Sequence, residues 1–205
     1  MGWAKATSAK DDDIIRHHGG CCRLFLRAMS QYLKLFINLC LFRGQAASVP
    51  RSETLLVLTA LAATITAAIS ADPNHGLFRG PLMAIGHVLS FALIIYLALR
   101  LRGYRERVVQ TLTAMFGATT LLQLLVLPFA GWHERLLPAG EPQLILTIPL
   151  LFVLVIGLWS LTVMISILRQ AMESSAGAAA IIIVGYQIFL FFLLATLATI
   201  GSPVP

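Results

Sequence analysis

The sequence predicts an all-α membrane protein: a polytopic helical bundle of five transmembrane helices preceded by an amphipathic interfacial helix. Three observations predict it. Five apolar blocks fill the chain from Thr54 to Ile200, each close to the roughly 20 residues that cover about 30 Å of hydrocarbon. Only 12% of the residues are charged and mean hydropathy is +0.85, whereas a soluble domain carries about 25% charge. The basic residues fall mainly in alternate gaps between the blocks. The blocks show no strict alternation of apolar and polar residues, which argues against a membrane barrel.

Taken in order, residues 1–23 read as a loose cytoplasmic tail, polar and marked by Asp11-Asp12-Asp13 and Gly19-Gly20. They hold no apolar core of a signal peptide, and Ala6 stands where a myristoylation signal wants Ser or Thr. Residues 24–52 form the second unit. From Leu24 to Phe42, Phe25, Met29, Leu33, Phe36 and Cys40 recur at steps of three and four, while Arg27, Gln31, Lys34 and Asn38 recur on the opposite side. That period describes an amphipathic helix, and its central cations suit the headgroup plane better than the bilayer interior. The alternative is a sixth, polar-lined span. Arg43 to Ser52, with Gly44 and Pro50, is a turn, and Ser52-Glu53 can cap the next helix through a hydroxyl acceptor and a favourably placed acid.

The third unit, residues 53–205, is the transmembrane domain. Its spans are Thr54 to Ala71, stopped by Asp72-Pro73-Asn74, then Leu82 to Leu101, Val108 to Ala130 with an end near Pro128, Leu144 to Leu168, and Ala178 to Ile200. Short connections make neighbours antiparallel. Eight basic residues precede the first span and Arg79 follows it; Arg100, Arg102, Arg105 and Arg107 come next, then Arg135 alone and Arg169 alone. Thirteen of the 15 therefore fall on one side. The positive-inside rule puts the N-terminus in the cytoplasm and the C-terminus outside. Compact loops and the bias to Arg point to a bacterial inner membrane. The charge flanks spans instead of forming a face, so the expected partners are anionic lipids of the cytoplasmic leaflet and other membrane proteins or further copies of this chain, not nucleic acid. Arg23, Arg27, Lys34 and Arg43 are the candidate membrane-surface residues.

Few residues suggest chemistry. His17, His18, Cys21 and Cys22 are metal-ligand types, but adjacent pairs lack the gap that lets a loop wrap an ion, and a polar tail explains them. Cys21, Cys22 and Cys40 lie on the reducing side, so no disulfide is expected. Asp72, His75, His133, Glu134 and Glu141 could meet a cation in the outer loops; solvated loop residues explain them as well. His87 lies within the second span, where an ionisable group is a functional candidate; about one turn inside, near the outer interface, it fits a satisfied structural histidine. Gln123 and Gln187 are the amides of the third and fifth spans. They are expected to hydrogen-bond across helices at roughly 1 kcal/mol each; the alternative is a solute path. Ala60-Thr64, Ala63-Ala67 and Ala114-Ala118 give the four-residue spacing of small residues that lets helices approach. No phosphate loop, nucleophile elbow or zinc-protease motif occurs, so neither an enzyme nor a cofactor is expected.

A basic turn before a Thr-rich third span (Arg105, Thr111, Thr113) precedes a fourth span with Leu158-Trp159-Ser160-Leu161. That span runs into Arg169-Gln170-Ala171-Met172-Glu173-Ser174, followed by Ala178-Ala179-Ala180. In these features the stretch from Arg100 to Leu197 resembles the Yip-type membrane domain of the Rab-GTPase-interacting protein family. The resemblance implies five packed spans after a cytoplasmic N-terminal region and a non-enzymatic scaffold. The Asp-Leu-Tyr-Gly-Pro motif of eukaryotic members is missing, so no GTPase-contacting residues are carried over. The sequence thus predicts a scaffold or assembly subunit working through membrane partners. Its alternative is a transporter or permease component for a hydrophobic or lipid-like solute. A polar mid-bundle cavity would favour transport; a filled core with Gln-Gln contacts would favour the scaffold.

Overall fold

The computed structural model describes residues 30–70, 79–137 and 145–200, and every regular element among them is helical. Helix α1 covers 30–40, and a 3-10 turn at Ala46–Ser48 leads into α2 (Glu53–Ile69). Then come α3 (Arg79–Leu101), α4 (Val108–Leu136), α5 (Ile148–Met172) and α6 (Ala176–Ile200). Helices α3 to α6 are long and apolar enough to cross a membrane, which marks this as a membrane protein; α2, with 17 residues, is a shorter apolar helix.

Local signals set most ends. The Ser52 hydroxyl accepts from the Leu55 N–H at 3.3 Å and Glu53 occupies the first turn of α2. Gly103, at φ 82°, lets the Tyr104 N–H turn back to the Leu99 carbonyl at 2.9 Å and closes α3, a backbone conformation that favours glycine. Three ends differ from expectation by four residues or more, one of them the end of α5, which runs past Leu168 to Met172 before Glu173 closes it. α4 continues past Pro128 to Leu136. The proline removes one backbone donor, but a tertiary tie holds the last turns: buried His133 places Nδ1 2.6 Å from the Thr147 hydroxyl. α5 starts at Ile148, because Thr147 caps it by accepting from the Leu150 N–H and Pro149 stands in its first turn, where a missing N–H costs nothing. The apolar run from Leu144 conceals that start.

The core is built around α4. α2 and α5 pack most extensively against it, α3 lies on α2, α6 lies on α5, and α3 and α6 meet across the bundle. From Thr111 to Ala118 every residue of α4 is buried, so this stretch has no lipid-facing side. Its threonines survive burial because each hydroxyl bonds its own helix: Thr111 to the Arg107 carbonyl at 2.8 Å and Thr113 to the Val109 carbonyl at 2.7 Å. A buried hydroxyl without a partner would cost about 1–3 kcal/mol.

Residues 30–52 belong to the same core. Phe36, Leu39, Cys40, Ala46 and Val49 are buried in one apolar cluster with α2 to α6. The apolar stripe expected to meet lipid therefore meets protein at Phe36 and Cys40, whereas Leu33 stays exposed. The Trp159 indole donates to the Cys40 carbonyl at 3.0 Å, and the Phe36 ring lies where a Cβ on Gly117 would stand. Periodicity identifies a helix with an apolar face and says nothing of whether lipid or protein covers it. Lys34 and Asn38 are exposed, while Arg23, Arg27 and the N-terminal His and Cys pairs lie outside the described residues.

An ion pair joins the chain at the other end of α5. Arg107 Nη1 stands 2.7 Å from Glu173 Oε1, the Tyr104 hydroxyl donates to Glu173 Oε2 at 3.2 Å, and the guanidinium sits over the Tyr104 ring. The hydrogen bond and charge of Arg107, helped by Tyr104, hold the Glu173 carboxyl below its ordinary value of 4.5.

Two outcomes are expected. Gly117→Ala forces the Phe36 ring out of place and should lower the melting temperature in detergent, by about 1–3 kcal/mol of overpacking; adding Phe36→Leu should recover part of the loss. Because the folded-state value of Glu173 is depressed, its contribution is present above the unfolded value and lost as pH falls through the folded one. The melting temperature should therefore drop as pH is lowered below the ordinary carboxylate value of 4.5, and by less in Glu173→Gln, as followed by thermal unfolding over an acid pH series.

Candidate functional site

A cavity of about 560 Å³ opens inside the bundle, with walls from all of α2 to α6. Its size falls in the roughly 300–1,000 Å³ range of small-molecule sites. Small residues make the room: Ala63 and Ala67 on α2, Gly157 and Ser160 on α5. Phe91, Phe116 and Met164 supply apolar surface, and no Asp, Glu, Lys or Arg lines the space.

Its polar groups form two sets. On one wall the Tyr186 hydroxyl of α6 lies 3.0 Å from His87 Nδ1 and 2.9 Å from the Ser90 hydroxyl, and donates to the His87 carbonyl at 3.1 Å. Ser90 donates to the same carbonyl at 2.9 Å. This cluster ties α3 to α6. Ring contacts continue it: Phe91 packs on Tyr186 at 5.3 Å and on Phe116 at 6.1 Å between centroids. On another wall Gln123 Oε1 accepts from the Thr66 hydroxyl at 3.2 Å and links α4 to α2. Thr66 is also held by the Ala62 and Ala63 carbonyls at 3.0 Å.

The sequence-predicted residues divide accordingly. His87, Gln123 and Gln187 all line the one cavity. Gln123 makes its bond to Thr66 on α2, and there is no Gln-Gln contact; Gln187 has no hydrogen-bond partner among the described residues and is exposed. The expected cross-helix bond of Gln187 is thus absent there, because its neighbours on the cavity wall are largely apolar. Arg43 and Lys34 are exposed and take no part in this cavity. Tyr186, Ser90 and Thr66 are the residues that sequence reasoning missed. A signal existed in the adjacent Tyr186-Gln187 pair, the polar interruption of an otherwise apolar block, and in Ser90 three residues after His87.

Of the small-residue pairs, Ala63, Ala114 and Ala118 are buried where α2 and α4 pack. Of the outer-loop candidates, His133 bonds Thr147 while Asp72, His75 and Glu141 lie outside the described residues. Among the described residues no three His, Cys, Asp or Glu side chains gather as metal ligands would. In comparisons with known proteins, no family model, no curated protein and no solved structure matches this chain.

The amides separate by substitution. Gln123→Leu should lower stability in detergent, on the order of 1 kcal/mol or less, because Thr66 keeps its backbone partners. Tyr186→Phe should lower it by a similar amount through the α3–α6 tie. Gln187→Leu should leave it unchanged or raise it. Thermal unfolding of the three variants side by side checks the ranking.

Proposed function

We propose that this chain binds a neutral, amphipathic, lipid-like solute in the cavity between its helices, as a transporter or permease component. The observation that carries this reading is an apolar chamber bordered by uncharged hydrogen-bonding groups, His87, Tyr186, Gln123, Gln187 and Ser160. A charged solute would enter low dielectric with no counter-charge, at a cost of several kcal/mol. A solute with a hydroxyl or carbonyl head and an apolar body would meet the amide of Gln123 or Gln187 and the Phe91–Phe116 wall.

In this reading α2 spans with α3 to α6, giving five spans; its 17 residues cover about 26 Å at about 1.5 Å each, and its flanks make up the rest. The basic side faces the cytoplasm of a bacterial cell, with the C-terminus outside. The scaffold reading keeps one specific support: only 17% of an apolar 18-residue stretch of α5, and of Ala176–Leu193 in α6, is buried, leaving wide apolar faces for membrane partners or further copies. It is also what the Yip-type resemblance implies.

Photolabelling separates the two. A diazirine-bearing long-chain alcohol, added to the protein in lipid nanodiscs, should label the α6 peptide around Tyr186 and Gln187 saturably and be displaced by excess hexadecanol. Gly157 faces open space, so Gly157→Phe can fill the chamber without a backbone clash and should abolish that saturable labelling. Labelling confined to the outward residues Leu154 and Leu158, unsaturable and indifferent to Gly157→Phe, would overturn the solute reading in favour of the scaffold.

A further inference from the structure

A second cavity, of about 990 Å³, lies where the connector after α1 meets the start of α4 and the end of α5. Its walls carry Arg43, Arg51, Arg107 and Arg169 and a single acid, Glu173. Arg107 is committed to Glu173 at 2.7 Å, and Arg51 lies 3.9 Å from Glu106. Among the described residues no ion pair involves Arg43 or Arg169. Like charges around one cavity repel one another, and an anion placed among them would relieve that repulsion.

The frame around these arginines is fixed. The Ala46 N–H donates to Gln170 Oε1 at 3.2 Å and the Gln110 amide donates to the Val49 carbonyl at 2.8 Å, joining the connector to α5 and α4. Phe42 and Glu173, the non-glycine residues with positive φ among those described, at 58° and 47°, both line this cavity. Such backbone is uncommon for residues other than glycine and persists where surroundings hold it. Phe42 is held edge-on against Trp159 at 5.4 Å, Glu173 by Arg107 and Tyr104.

On the far side of that ring pair lies an apolar groove of about 480 Å³, between α1, α4 and α5, with Trp159, Ile37, Leu41, Leu121, Leu125 and Val155 along it. Phe42 borders the basic cavity and Trp159 the groove, so the two spaces adjoin through one contact. Arg169 follows Trp159 by ten positions along α5, about 15 Å of helix. A cationic cavity at one end and an apolar groove at the other match the head and the acyl chain of an anionic phospholipid.

We propose that this paired site binds an anionic glycerophospholipid, its phosphate between Arg43 and Arg169 and one acyl chain in the groove beside Trp159. Guanidinium groups suit phosphate because their donors meet its oxygens two at a time. The site is separate from the solute cavity, and the lipid would fasten the α1 connector to the ends of α4 and α5.

Native mass spectrometry of the full-length protein in detergent, with thermal unfolding, tests this. Dioleoyl phosphatidylglycerol should be retained and raise the melting temperature, whereas dioleoyl phosphatidylcholine should do neither. Arg43→Gln with Arg169→Gln should weaken retention about tenfold or more, Arg43→Lys with Arg169→Lys should hold it within about threefold, and Arg102→Gln with Arg135→Gln, outside the cavity, should leave it unchanged. Glycerophosphoglycerol, the same head without chains, should not displace the lipid. Equal retention of both lipids, equal retention by the Gln pair, or displacement by the free head group or by pyrophosphate at equal concentration would each overturn the proposal.

Discussion

A helix enclosed on every side is the constraint on which the rest depends. Between Thr111 and Ala118, α4 touches only protein, so each polar group there needs a partner within the fold and each neighbour must fit a fixed surface. Thr111 and Thr113 meet the first demand by bonding the preceding turn of their own helix. Gly117 meets the second by leaving a side-chain-sized space that Phe36 fills. With α1 seated there, the connector that follows can reach the ends of α4 and α5, where Gln110 and Gln170 hold it.

Full enclosure stops at Thr119, and the larger apolar cavity runs along α4 from Phe116 onward. Beyond that point α4 contributes Gln123, while Gly157 and Ser160 of α5 and Ala63 and Ala67 of α2 are too small to fill the space between helices. The Tyr186–His87–Ser90 cluster then closes α6 against α3 on the far wall. Uncharged groups line this space and arginines line the other one, so a neutral solute and an anionic lipid would be sorted by electrostatics alone.

Legibility followed the range of the interaction. The Ser52 cap depends on a residue three positions away, and the sequence carries it in full. The end of α4 was misplaced because Pro128 is a local stop signal overridden by a contact from His133 to Thr147, fourteen residues on. His87, Gln123 and Gln187 were visible as polar residues in apolar blocks. Their convergence on one cavity was not, since it depends on which way each helix turns.

By itself, then, the sequence determined that the chain is helical and apolar enough for a bilayer, and where most helices begin and end, because hydropathy, period and capping act within a few residues. Only the tertiary structure decided which helix lies at the centre, that α1 turns Phe36 and Cys40 into protein, and that Arg43, Arg51, Arg107 and Arg169, spread over more than a hundred positions, share one cavity. These are rotations and contacts between distant helices. A one-dimensional pattern of apolar residues is the same whether lipid or another helix covers it.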